Sequence, residues 1–372
     1  MNVDHLVEVM EQIAPAEYAA EWDNVGLLVG AGSWDADRIL LAIDLTPTVL
    51  REAISHEVDA IVAYHPPIFE PIRRLTDDSP RHSVELAAAR HGIALYSPHT
   101  ALDAAPGGVN DWLAECLGKG DVRALDSHEE QPATEQTKLV TFCPAEAVEP
   151  LRNALATVGA GRIGRYHQCS FELRGTGTFF AEASASPAVG ETGQLERVDE
   201  VRLEMVCPRA ALGLAMVMIR QFHPYEEPPI EIHPLLPRPR RDTGHGRRVV
   251  LDQKVDLPTL SARLKSRLHV GQLRAAPGEG APKSYGTIGL CAGAGGALLD
   301  AAIDQECELY LTGELRHHDV IDAQARGCTV LLAGHTNTER GYLKVLQKKL
   351  TKALDGVAVS VSKKDRDPLK VV

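Results

Sequence analysis

RILLAIDLTPTVLREAISHEVDAIVAYHPPIF, residues 38–69, decides how the chain is to be read. RILLAIDL (38–45) is apolar and β-branched and predicts a strand, TVLREAISHE (48–57) carries helical periodicity, and AIVAY (60–64) predicts a second strand. Strand, helix, strand in so short a span is a βαβ unit, which demands a largely parallel sheet. The second strand runs into His65 and then Pro66 and Pro67, which have no N–H to give a ladder. A histidine is therefore delivered at a strand end.

The same alternation continues outward. RHSVELAAARHG (81–92) predicts a helix ended by Gly92, IALYS (93–97) a strand, and VNDWLAECLG (109–118) a helix ended by Gly118. A polar stretch, SHEEQPATEQT (127–137), separates this half from a different pattern. KLVTFCP, a helix over 145–159, two strands around the RGTG turn in YHQCSFELRGTGTFFAE, VRLEMVCP, a helix over 209–222 and PPIEIHPL give β-α-β-β-β-α-β. That order is ferredoxin-like with an extra strand. PRPRRDTGHGRR (237–248) reads as a solvated linker. Beyond it βα alternation returns, with strands in RVVLDQKV, YGTIGLCAG, CELYLTG and CTVLLAG, a long helix over about 338–354 and VAVSVS at the end. The expected fold class is a split α/β domain with a mainly parallel sheet, interrupted by an α+β insert. The divisions are 1–128, 129–236 and 237–372.

The 372 residues are 44% hydrophobic and 24% charged, with formal net charge −12. That balance supplies a core and opposes a broad nucleic-acid footprint, which needs basic excess. Seven cysteines, with no Cys-x-x-Cys, fit a reducing compartment rather than a disulfide framework. The N-terminal segment has neither a basic leader nor a continuous apolar run, so a cytoplasmic chain with no membrane span is expected.

Open α/β sheets bind ligands at the C-terminal ends of their strands. Here those ends carry Asp44, His65, His99 with Asp103, Glu314, and His335 with Glu339. Imidazoles and carboxylates without thiolates suit a hydrolytic Zn, Mn, Fe or Co site. Taken singly, each has a plainer reading: Asp44 as part of a helix N-terminal cap region, His317 and His318 as solvent-facing. ALDAAPGG (101–108) reads as loop. CAGAGGALL (291–299) lacks the Gly-Lys-Ser/Thr ending of a phosphate loop and reads as a tight turn. RYHQCSF (165–171) and FHPYEEPP (222–229) read as structural turns bracketed by proline rather than as a second metal site.

WDNVGLLVG (22–30), YHPPIF (64–69), HTALDAAPGGVNDWLAE (99–115), LTGELRHHDVIDAQARG (311–327) and GHTNTERG (334–341) together resemble the signature blocks of a dinuclear metal-centre family. These are the GTP cyclohydrolase 1 type 2 homologues, also called NGG-interacting-factor-like proteins. The middle region resembles the PII/CutA-like insert of longer members. The resemblance implies one or two divalent ions per chain and a toroidal homohexamer. It places one metal on His65 and Asp103 and the other on His335, with Glu339 bridging and His99 as ligand or neighbour. Tyr64 stands where many bacterial members have a histidine ligand; it ligates as phenolate, leaves the position to water, or weakens that metal.

Two functions follow from the resemblance. One is a metal-dependent hydrolase of a nucleotide or small molecule, opening the GTP purine ring in the family's named activity, with His99, His317 and His318 as candidate proton shuttles. The other is a non-enzymatic metal-handling or adaptor toroid.

Overall fold

Residues 1–77 and 80–369 are described in a computed structural model. The chain enters through α1 (Val3–Ile13), whose first turn is capped by the Asn2 side chain and whose inner face buries Val3, Leu6, Val9 and Met10. β1 (Gly26–Val29) and β2 (Arg38–Ala42) follow, then α2 (Pro47–Ser55). The Thr46 hydroxyl accepts from Val49 N and Pro47 occupies the first turn, so the helix starts where sequence rules place it. Next come β3 (Ala60–Ala63), α3 (Pro80–Arg90), β4 (Ala94–Ser97), α4 (His99–Ala104), α5 (Val109–Ala114) and β5 (Gly120–Glu130). The first half of the 101–108 stretch expected as loop is thus helical, in α4, and the rest joins α4 to α5.

The middle segment supplies β6 (Thr137–Cys143), α6 (Val148–Thr157), β7 (Phe171–Phe180), β8 (Leu195–Cys207), α7 (Leu212–Phe222) and β9 (Ile230–Pro234). The return half contains β10 (Arg238–Val255), α8 (Leu257–Leu268), β11 (Arg274–Ala276), β12 (Tyr285–Ala294), α9 (Leu299–Asp304) and β13 (Leu309–Glu314). It ends with α10 (His317–Ala325), β14 (Thr329–Leu332), α11 (Asn337–Arg340), α12 (Leu343–Ala353) and β15 (Ala358–Val361). Two compact units result: residues 1–128 with those from 240 onward, and residues 129–239.

The first unit holds two sheets, where alternation alone suggested one. The first runs β1-β4-β3-β2-β15 and the second β11-β14-β13-β12-β10-β5. β4, β3, β2 and β15 are parallel with β1 antiparallel at the edge. β12, β13 and β14 are parallel, flanked by antiparallel β10 and β11. A βα alternation fixes neighbours within a run but carries no signal for where one sheet stops and another begins. A continuous core joins Ile39, Leu41 and Val62 of the first sheet to Ile288, Leu290, Leu309, Leu311 and Leu331 of the second.

The solvated linker expected at 237–248 is instead part of β10. Its glycines explain why polarity misled: a side chain at Gly244 would meet Asp126 O, and one at Gly246 would meet Leu290 O. Arg247, only 1% exposed, donates to the Asp111 carboxylate and to the carbonyls of Gly244, Gly246, Ala104 and Ala105. An arginine in a polar stretch is buried here because every donor direction finds an oxygen.

In the second unit the sheet runs β7-β8-β6-β9 with every pairing antiparallel. Leu151 and Leu155 of α6 and Ala215 and Ile219 of α7 share a core with Leu139, Leu203 and Met205 of the sheet. The two strands expected around RGTG are one. β7 pairs with β8 without a break from Phe171↔Glu204 to Phe180↔Leu195, so Gly175 and Gly177 sit inside a strand. The order is β-α-β-β-α-β, without the extra strand.

Candidate metal centre

The two sheets of the first unit bring their strand ends to a common cluster. His65 follows β3, His335 follows β14, and Glu339 sits on α11. One ligand atom from each lies within 4.8 Å of the others. Nε2 of His65 is 3.5 Å from Glu339 Oε2, and Nε2 of His335 is 3.4 Å from Glu339 Oε1. The glutamate is 3% exposed, and among the described residues its Oε2 has no hydrogen-bond partner. A buried carboxylate oxygen left without a donor, facing two imidazole nitrogens, is a place for a cation.

Each imidazole is oriented from behind. Nδ1 of His65 donates to Asp44 Oδ1 at 2.8 Å, Nδ1 of His335 to Glu314 Oε1 at 3.0 Å, and Nδ1 of His99 to Asp23 Oδ1 at 2.7 Å. An ionised carboxylate only accepts, so each bond puts a proton on Nδ1 and turns Nε2 toward the cluster. Carboxylates behind metal-binding histidines do this work. The electrostatics agree. Burial opposes charge on His65, yet the Asp44 hydrogen bond and the nearby Glu339 and Asp44 carboxylates raise its pKa from 6.5 to about 10. The cluster without a metal thus holds a proton, which a divalent ion would replace.

Gly293, in the turn read as a tight βα connection, has φ +64 and lies against the cluster. A Cβ there would be 2.5 Å from Glu339 Oε1 and 3.2 Å from His335 Nε2. Its N–H donates to Thr338 Oγ1 at 2.8 Å, fixing the end of β12 over α11. The glycine keeps open the space in which an ion would contact Glu339.

Asp103 and Tyr64 engage each other beside the triad. The Tyr64 hydroxyl donates to Asp103 Oδ1 at 2.5 Å. Burial first, then the Asp103 and Glu339 charges, hold the phenol well above its ordinary pKa, so it keeps its proton. Burial, with the Glu339 charge, also raises Asp103 to about 7, against the Tyr64 hydrogen bond and the His99 and His65 charges. His99 lies next to the centre, its ring 5.4 Å from that of His65 and 5.6 Å from that of Tyr64. His317 and His318 are exposed on α10 and pack edge to face on each other. Among the described residues no hydrogen bond, ion pair or ring contact links them to the triad.

The resemblance set His65 with Asp103 on one metal and His335 on the other, with Glu339 between them; the structure brings His65, His335 and Glu339 into one group. Sequence reasoning listed Asp44 among the strand-end residues with a helix cap as its plainer reading; Thr46 fills that cap and Asp44 stands behind His65, while Asp23 was passed over. The only available signal for Asp23 was its place in WDNVGLLVG; nothing local ties it to a histidine 76 residues away.

Residues 1–368 match the family described as Duf34/NIF3 (NGG1p interacting factor 3). A Bacillus subtilis protein named GTP cyclohydrolase 1 type 2 homolog is 34% identical over 99% of this chain and 98% of its own. The rat NIF3-like protein 1 is 34% identical over 100% of this chain and 93% of its own. Among solved structures, a Bacillus cereus protein related to NIF3 superposes with TM-score 0.64 at 31% identity, over 100% of this chain and 99% of that one. A Staphylococcus aureus protein reaches TM-score 0.71 at 25% identity, over 100% and 99%. No helix among the described residues is long and apolar enough to cross a membrane. Match length, identity and fold agree over nearly the whole sequence, and the chain belongs to the Duf34/NIF3 family.

Proposed function

We propose that this protein is a metal-dependent hydrolase of a small-molecule substrate. The observation that carries the reading is the convergence of two carboxylate-backed imidazoles on a buried glutamate with an unpartnered oxygen. His65, His335 and Glu339 would hold a divalent Zn, Mn, Fe or Co ion, with Asp103 and Tyr64 beside it. Such an ion, when bound, supplies Lewis acidity and a lowered pKa for water. Asp44 and Glu314 keep the two Nε2 atoms aimed inward, and Gly293 keeps the space clear. His99, held by Asp23, presents Nε2 near the centre to take or return a proton.

The name of the Bacillus subtilis relative makes GTP the first substrate to assay. The strand order β7-β8-β6-β9 supports reading the second unit as ferredoxin-like. A homohexamer belongs to the same reading, and light scattering on the purified chain tests it.

The functional test is metal content by plasma mass spectrometry together with steady-state turnover, for the wild type and His335→Ala. One or two ions per chain, lost with turnover in the variant, are expected. Equal turnover in both proteins removes the hydrolase assignment. Metal uptake with no turnover leaves a metal-handling protein.

A further inference from the structure

The cleft that opens onto the cluster is far larger than an ion and its water need. It encloses about 1010 Å³, with Asp44, His65, Glu314 and His335 at the metal centre and Arg274 and Arg366 also in its lining. That volume suits a ligand at the large end of small molecules. We propose that the cleft takes a phosphorylated substrate, with Arg274 and Arg366 holding its phosphate groups while the reacting part meets the metal centre.

Each arginine is anchored to a different arm of the centre. Arg274 lies on β11 and pairs with Leu332 of β14, three residues before His335. Arg366 follows a C-terminal segment tied down after β15. Ser362 Oγ donates to the Glu52 carboxylate, as do Lys363 N at 2.9 Å and Lys364 N at 3.3 Å. Asp365, its side chain 2% exposed, accepts from Ile43 N at 2.7 Å and from Arg340 Nη1 at 2.5 Å. Ile43 directly precedes Asp44, so this tie brings Arg366 beside the His65 arm.

Exposed arginines alone are ordinary. These two share a cleft with the triad, and among the described residues neither guanidinium has a hydrogen bond or ion pair. Thr336, which lines the same cleft and is 6% exposed, has a hydroxyl with no partner among the described residues. The carboxylates of the cleft wall are committed: Asp44 and Glu314 to the histidines, and Asp367 to Leu369 N. Free fork donors opposite engaged acceptors select an anion, and arginine matches phosphate oxygens two at a time.

The proposal rests on the hydrolase reading for where the reacting group lies, but the anion subsite is testable without metal. Tripolyphosphate is titrated calorimetrically into the chelator-treated full chain at low salt. Binding that weakens with added NaCl, and at least about tenfold in Arg274→Ala/Arg366→Ala, is expected. Arg366→Ala alone, outside every helix and strand, should lose several-fold, and Arg90→Ala on α3 nothing. No binding to the wild type, equal affinity in the double variant, or an equal loss in Arg90→Ala overturns the proposal. Zinc uptake is measured on the same preparations. A chain that binds zinc but ignores tripolyphosphate loses this inference alone; one that binds tripolyphosphate but no zinc loses the hydrolase reading alone.

Discussion

The two arms of the metal centre use one device in two sheets. In the first, β2 ends beside Asp44 and its parallel neighbour β3 delivers His65. In the second, β13 ends at Glu314 and its parallel neighbour β14 delivers His335. Parallel pairing puts adjacent strand ends on the same rim, so a carboxylate after one strand reaches the imidazole after the next. The arms differ in how firmly they are held. Asp44 has a third of its side-chain surface exposed and is also 3.9 Å from Arg340, whereas half of Glu314 is exposed. Burial opposes charge on Asp44, yet its His65 hydrogen bond and the His65 and Arg340 charges lower its pKa. The first arm is therefore the stiff one and the second the adjustable one, because solvent screens the outer bond more.

The largest effect breaks both arms alike. His65→Ala and His335→Ala should each abolish stoichiometric zinc uptake by plasma mass spectrometry while far-UV circular dichroism stays unchanged. Retention in either variant would take that histidine out of the ligand set. Next comes the pin between the halves, Arg247 of the second sheet, which reaches Asp111, Ala104 and Ala105. Removing one partner of a buried pair costs about 3–5 kcal/mol, so Arg247→Ala should lower urea stability by that order. It should weaken zinc through both arms together.

Asp44→Asn against Glu314→Gln sharpens the comparison directly. Outer partners of metal-binding histidines are worth about 10–100-fold in affinity. The asparagine variant should fall toward the upper end and the glutamine variant toward the lower. The reverse order would mean that exposure does not set the stiffness of the arms.

The smallest effect uses a histidine poised oppositely. His223 of the second unit accepts from Tyr225 N at Nδ1 and donates to Phe142 O from Nε2, and burial lowers its pKa. A depressed histidine disfavours the protonated fold, so stability is full above about 6.5 and falls as pH drops below it. Urea unfolding should show this acid-side loss in the wild type and not in His223→Gln. His65 runs the other way in the metal-free chain: its raised pKa gives stability present below about 6.5 and lost toward about pH 10.

Much of this was legible in local pattern. His65, His335 and Glu339 announced themselves as chemistry-bearing residues just past apolar runs, and the βα alternation located both halves. Local pattern failed where partners are remote. Asp23 meets His99 across 76 residues, and Asp365 meets Ile43 across 322. It failed again at β10, where charge suggested water but carbonyl and carboxylate oxygens surround Arg247.

By itself, then, the amino-acid sequence determined which strands end in imidazoles and carboxylates, because strand and helix periodicity are local properties. Only the tertiary structure decided that those strands belong to two sheets, that Asp44 and Glu314 stand behind the histidines, and that Gly293 leaves the room Glu339 needs. Register between distant strands, and the burial that makes a charge seek a partner, arise when one shared core closes around both halves.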